Sequence, residues 1–395
     1  MNVAAPAVDA IAAAKALGPL ISAAAPRIEE MRDLPEDVVE ALHEARLFRM
    51  LFPRSLGGLE LQPAIYVQAI EELAKADAST AWCVAQTSVC STVSASLDHQ
   101  VAWELFGADH RALLAWGPPG RNAKAIAEPG GYRVTGSWQF ASGSRHAKWL
   151  SGHAPVLEAD GTPRMDAQGN PVERTFIFPR TEAKITDVWH VIGLKGTGTD
   201  NYAVTDLFVP EERTTTSFGR NLAEHRERGP LYLFTVFQLF GASFGSVALG
   251  IARSTLDAFV ELAKVKTPMG GRTVLRDNAV IQSQVGLAQA QLASARVFLI
   301  NALETLWDGA VKTGKLDLDH RVQLRMASTY CTHIAKQVVD VAYHSAGATA
   351  IFESNPFERR FRDVHTVSQQ VQSHFSIFET MGQHFLGLPA NPRLI

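Results

Sequence analysis

Thirteen histidines are the first residues that could do chemistry. His365, His374 and His384 fall together near the end of the chain, nine and ten positions apart. Two ligands on one helix face need a spacing of three or four residues, so these three share no metal-binding face. No His-Glu-x-x-His string, Cys-x-x-Cys pair or calcium-loop pattern occurs, so no metal site is signalled. Gly193-Leu-Lys-Gly-Thr-Gly198 is rich in glycine, but a strand-like stretch follows it. A phosphate cradle needs a helix N-terminus behind it, so the segment reads as a turn. Neither Gly-x-Gly-x-x-Gly nor a Walker loop is present, so neither a dinucleotide-binding turn nor a P-loop is signalled. Pattern alone leaves no self-evident active site.

The elements that must position any site are clearer. The 395 residues predict two or three packed units. Hydrophobic residues at 46% and charged residues at 19% give ample material for a large core. The 37 basic and 40 acidic residues leave a net charge of -3 with no basic run, which excludes a nucleic-acid or anionic-membrane partner. Cys83, Cys90 and Cys331 cannot build a disulfide framework, so a reducing, cytoplasmic compartment is expected. Asp9 and Lys15 interrupt the alanine-rich start, which therefore does not read as a secretory signal. Residues 230–252 carry no charge and are long enough to span a bilayer. They also hold Gln238, Ser243, Ser246 and three glycines, so a buried bundle helix is expected there.

Along the chain the texture runs α, then β, then α. Ile65, Tyr66, Ile70 and Leu73 recur at near-helical spacing, and Asp77-Ala-Ser-Thr80 offers capping side chains for the next helix. From about residue 111, short stretches such as 131–136, 174–178 and 202–209 read as strands, with a hairpin loop around Gly161, Pro163 and Gly169. From about 228, helices over 230–264, 278–312, 318–350 and 364–385 suggest a four-helix bundle. The expected domains are 1–110, 111–224 and 225–395.

Four strings in this order resemble the acyl-CoA dehydrogenase fold family. They are Ala69-Ile-Glu-Glu-Leu-Ala-Lys-Ala-Asp-Ala-Ser-Thr-Ala-Trp82, the hairpin Gly131-Tyr-Arg-Val-Thr-Gly-Ser-Trp-Gln-Phe-Ala-Ser-Gly-Ser144, the run from Gly193 to Pro210, and Pro356-Phe-Glu-Arg-Arg-Phe-Arg-Asp363. The resemblance covers nearly the whole chain. It implies an α+β fold with an N-terminal helical domain, a middle β-barrel and a C-terminal four-helix bundle.

The family holds dehydrogenases and a two-component monooxygenase branch supplied with reduced FAD or FMN by a separate NAD(P)H:flavin reductase. Many dehydrogenases carry a glutamate base shortly after the motif matched by Arg362-Asp363. The segment here, Val364 to His374, contains no acid, and Glu379 lies too far along. Trp138-Gln-Phe-Ala-Ser-Gly-Ser144 and the ending Gly382 to Pro389 are closer to the monooxygenase branch.

That resemblance implies Ser142 at flavin N5, with Trp116, Pro118, Trp138, Phe140 and Ala141 along the same cofactor site. It also implies a homotetramer in which Gly347 and Ala348 meet a neighbour's cofactor, with Arg272 and Gln282 as candidates for phosphate and ribose contacts. Trp82, Trp116, Phe234 and Phe237 are candidate walls for the substrate. Phenol-hydroxylating members carry histidines where this chain has Gln370 and Cys90, so a base for a phenol is missing; His374 or His365 is the substitute if the register slips. The resemblance thus implies an O2-using enzyme for a small, neutral, indole-like substrate. The alternatives are an acyl-CoA dehydrogenase with tightly held FAD and a relocated base, or a binding protein that has lost the chemistry. Glu358, Arg359, Arg362 and Asp363 are read as structural ion pairs.

Overall fold

The computed structural model describes residues 8–216, 225–389 and 391; residues 217–224, at the end of the expected middle domain, lie outside it. The chain opens with helices α1 (Ala10–Met31), α2 (Glu36–Glu44), α3 (Pro63–Ala76) and α4 (Ala78–Cys90), then the short α5 (His99–Ala102). In α3, Tyr66, Ile70 and Leu73 point into the core, as their spacing requires. Asp77 ends α3 and caps α4, its Oδ1 accepting the Thr80 N–H at 2.7 Å. Such a cap satisfies a donor that the helix start leaves orphaned.

Eight strands follow: β1 (Leu114–Ala115), β2 (Lys124–Glu128), β3 (Gly131–Ala141), β4 (Trp149–Leu157), β5 (Glu173–Pro179), β6 (Lys184–Thr186), β7 (Asp200–Pro210) and β8 (Thr214–Thr216). They form one sheet in the order β6-β7-β3-β2-β4-β5-β8, with β1 added parallel to β4. The glycine-rich segment before β7 is a turn, with a short 3-10 helix at Lys195–Thr197.

The β3–β7 pairing slips between Trp138 and Ala141. In a regular strand Trp138 and Phe140 would share a face. The bulge separates them. Trp138 is fully buried in the β core, stacked on Tyr202 at 5.4 Å, while Phe140 turns outward with φ +58°. A Cβ on Gly152 would lie 2.3 Å from the Trp138 ring, so the indole needs glycine beside it. Bulges of this kind re-aim side chains next to sites.

The bundle consists of α6 (Val236–Val265), α7 (Ala279–Thr313), α8 (Leu318–Ala346), α9 (Pro356–Val367) and α10 (Ser376–Phe385). Thr235 starts α6 through a reciprocal cap with Gln238. Although α6 is long and apolar enough to cross a membrane, it is buried inside the fold. A Cβ on Gly250 would lie 2.5 Å from the Glu71 carbonyl of α3, so the two helices approach too closely for any side chain there.

One expected element is corrected: 364–385 is two helices with a break. The Gln370 side chain makes the break by competing with the helix for backbone partners. Its Oε1 accepts the Gln372 N–H at 2.7 Å and its Nε2 donates to Ser373 Oγ at 3.0 Å. A second correction concerns Asp363. Among the described residues it makes no ion pair; its Oδ1 accepts the Leu194 N–H at 2.7 Å and ties the bundle to the turn before β7. Arg362 does pair, with Glu358 at 2.8 Å and Glu29 at 2.7 Å.

Candidate active site

A cavity of about 420 Å³ opens where sheet and bundle meet, a size suited to a small organic ligand. Aromatic rings and polar side chains share its walls. Trp82 of α4 stacks on Phe244 of α6 at 3.8 Å between centroids, Phe240 lies 5.4 Å from Phe244, and Trp116 meets Phe240 edge-on at 5.5 Å. Phe237 completes this row on α6, and Pro118 closes the sheet side. Such a box favours a flat aromatic molecule. Among the described residues lining it there is no Asp, Glu, Lys, Arg or His.

Phe140 and Trp189 stand at the opening, edge to face at 6.4 Å. Phe140 is 58% exposed despite its size, and its left-handed backbone is unusual for a bulky side chain. Such strain clusters at functional sites. Two residues on, the buried Ser142 accepts the Trp82 indole N–H at 3.0 Å. Its Oγ lies 2.7 Å from Thr199 Oγ1, which lies 2.6 Å from Thr197 Oγ1, and Thr197 donates to the Leu194 carbonyl at 2.9 Å.

Gln86 of α4, Thr366 and the glutamines at the α9–α10 break supply further polar wall. Gln370 lines the cavity, but both ends of its amide are engaged in the turn it caps. Gln372 differs. It is 7% exposed, lines the same cavity, and its Oε1 is buried with no hydrogen-bond partner. A buried acceptor left unpaired is costly, so a ligand donor that drew the amide round toward the cavity would recover a bond.

Several expected site residues lie elsewhere. Cys90 and Phe234 line a smaller neighbouring cavity of about 30 Å³ that shares only Trp116 with the main one. Burial pushes the Cys90 thiol up, so it stays neutral. Trp138 belongs to the β core for the reason given, and Ala141 is fully buried and off the cavity wall. His374 is exposed, its Nδ1 2.8 Å from Ser376 Oγ, because the break turns it away. His365 is engaged with Asp340 at 2.8 Å. Arg272, Gln282, Gly347 and Ala348 are exposed around the α6–α7 link and the end of α8, and none lines the cavity of this chain. Gly241-Ala-Ser-Phe-Gly245 has the spelling of a hydrolase elbow, yet it lies inside α6, with Ser243 Oγ donating to Phe240 O at 3.2 Å. Phe240 and Phe244 were missed although they continue the helical spacing of Phe237. Thr199 and Gln372 carried no signal, since their roles come from a turn and a helix break.

The model of the acyl-CoA dehydrogenase N-terminal domain matches residues 12–97, and that of the acyl-CoA dehydrogenase C-terminal domain matches 242–375. An indole-3-acetate monooxygenase of Pseudomonas putida is 30% identical over 91% of this chain and 89% of its own length. The chain belongs to the flavin-dependent monooxygenase branch of the acyl-CoA dehydrogenase fold family. The oxygenase component of an FADH(2)-dependent resorcinol hydroxylase from Rhizobium sp. is 29% identical over 93% of this chain and 92% of its own. The crystal structure of the HsaA monooxygenase from M. tuberculosis superposes with a TM-score of 0.87 at 27% identity, covering 98% of this chain and 100% of that one.

Aromatic walls, the exposed Phe140 at the opening and a buried hydroxyl relay that reaches the cavity at Ser142 suit the flat ring system of the flavin that this family uses.

Proposed function

We propose that this chain is the oxygenase component of a two-component monooxygenase. It takes reduced FAD or FMN from a separate NAD(P)H:flavin reductase and uses O2 to oxygenate a small, neutral, indole-like aromatic. The observation that carries this is a cavity rich in aromatic rings, with no charged group among its described lining residues and with the buried, unpaired acceptor Gln372 Oε1 beside it.

Reduced flavin, when bound, supplies the electrons that divide dioxygen between substrate and water. The chain's own part is to hold, orient and keep dry. Phe140 and Trp189 would flank the flavin at the opening, and Ser142 would meet its N5 edge. Trp82, Phe240 and Phe244 hold the substrate flat and exclude water, which would waste the activated oxygen. With its amide turned toward the cavity, Gln372 Oε1 would accept the substrate N–H and fix which ring edge faces the flavin. No base is needed, because an electron-rich neutral heterocycle reacts without losing a proton first.

The dehydrogenase alternative needs a carboxylate within reach of the substrate. No carboxylate is among the described cavity residues, and Asp363 is occupied by Leu194. A phenol substrate is disfavoured because the Gln370 amide is engaged and no ionisable partner is among the described cavity residues. Assembly as a homotetramer belongs to the same reading. It is supported by the exposure of Arg272, Gln282, Gly347 and Ala348, which would then reach a neighbour's flavin. A cytoplasmic location is supported by three free, buried cysteines.

The test is a single turnover with chemically reduced FAD or FMN, indole and ¹⁸O-labelled dioxygen, read by mass spectrometry. One labelled oxygen in the product is expected. Unchanged indole and unchanged related N–H heterocycles, with all oxygen recovered as peroxide, would overturn the proposal.

A further inference from the structure

We infer that Thr197 and Thr199 make the site selective for the reduced state of the flavin, by forcing the Ser142 hydroxyl to act as a hydrogen-bond acceptor. The inference rests on the proposal that Ser142 meets flavin N5. It follows from counting protons along the relay.

Each hydroxyl has one proton to donate. Thr197 gives its proton to the Leu194 carbonyl at 2.9 Å. Leu194 is itself fixed: its N–H donates to Asp363 at 2.7 Å, and its carbonyl also accepts the Trp189 indole N–H at 2.9 Å. Thr197 Oγ1 can then only accept from Thr199, at 2.6 Å. Thr199 has spent its proton and can only accept from Ser142, at 2.7 Å. The Trp82 indole N–H is a donor only, and it occupies one Ser142 lone pair at 3.0 Å. Ser142 therefore presents the cavity with one lone pair and no proton. Ser142, Thr197 and Thr199 are 4%, 2% and 3% exposed, so water is poorly placed to relax this order.

Reduced flavin carries a hydrogen on N5 and oxidised flavin carries a lone pair there. The reduced form finds a matched acceptor. The oxidised form sets lone pair against lone pair unless all three hydroxyls turn. Turning them gives up the bond from Thr197 to Leu194, the far anchor of the chain. One net hydrogen bond corresponds to about a fivefold difference in affinity. For a two-electron couple, that is about 20 mV in the midpoint potential of the bound flavin. The consequence suits a cofactor that must leave: the spent flavin becomes the weaker ligand and returns to the reductase.

The experiment measures dissociation constants for chemically reduced flavin under anaerobic conditions and for oxidised flavin. It compares the wild-type chain with Thr197→Val, Thr199→Val and Thr199→Ser. The wild-type chain is expected to favour reduced flavin. Each valine variant should lose about fivefold of that preference, mainly by binding oxidised flavin more tightly, because the Ser142 proton is freed to point at N5. Thr199→Ser keeps the hydroxyl and should keep the wild-type ratio; it also serves if a valine variant fails to fold. An unchanged ratio in folded valine variants, or a ratio in Thr199→Ser shifted away from wild type, would overturn the relay alone. Failure of the wild-type chain to bind flavin in either state would overturn the proposed function with it.

Discussion

Replacing Gln372 by leucine probes the substrate side of the site most sharply. The Gln372 backbone carbonyl accepts from Thr329 Oγ1 at 3.0 Å and anchors the α9–α10 break, while its side-chain Oε1 has no partner. Gln372→Leu therefore removes the unpaired acceptor beside the cavity and leaves the backbone anchor in place. In the wild-type chain, indole would pair its N–H with Oε1. Benzofuran has the same shape but no donor, so binding it leaves the acceptor buried and unpaired. That costs about 1–3 kcal/mol, or about 5- to 150-fold in relative kcat/KM. The two rings also differ in intrinsic reactivity, so the informative quantity is how the indole-to-benzofuran ratio changes between wild type and variant. The ratio, followed by oxygenated product under reduced flavin, should fall by at least about fivefold in Gln372→Leu. An unchanged ratio in a folded variant would refute the assignment of Gln372 as the substrate's acceptor.

Other expectations are structural. Trp138→Ala empties a fully buried slot in the β core and should cost about 3–5 kcal/mol in urea unfolding; a loss below 1 kcal/mol would contradict the packing. Gly250→Ala places a Cβ 2.5 Å from the Glu71 carbonyl and should destabilise by about 1–3 kcal/mol, despite alanine's better helix propensity. Burial pushes the Asp363 carboxyl up to about 7 from 3.8. Between those values the folded chain holds a proton that the unfolded chain has lost, so this group makes stability fall as pH rises. Asp363→Asn keeps an acceptor for Leu194 and should flatten that part of the pH dependence of the urea midpoint; an unaltered slope would count against the buried, protonated carboxyl.

The order of helices, strands and helices was legible because each texture persists for many residues. Near-helical spacing marked α3, and the uncharged run marked the buried α6. The site was legible only where it follows regular elements. Trp82, Trp116 and Phe237 reach the cavity from predictable places. Trp138 and Phe140 looked equivalent, two apart on one strand, until the β3 bulge sent one into the core and the other to the opening. Gln370 looked like the cavity's polar group, but its amide is consumed in breaking the last helix. That break hands the role to Gln372 and turns His374 away. Such irregularities arise from local side-chain competition with the backbone, which periodicity does not register.

The central claim is that the chain binds reduced flavin and directs its reaction with oxygen. The most direct test is rapid mixing of the chain and chemically reduced FAD or FMN with oxygen, recorded as full spectra over time. A distinct spectral phase that precedes oxidised flavin, outlasts the reaction of free flavin and decays faster with indole is the predicted result. Oxidation indistinguishable from that of free flavin would contradict the account, as would a tightly held yellow FAD that acyl-CoA thioesters bleach.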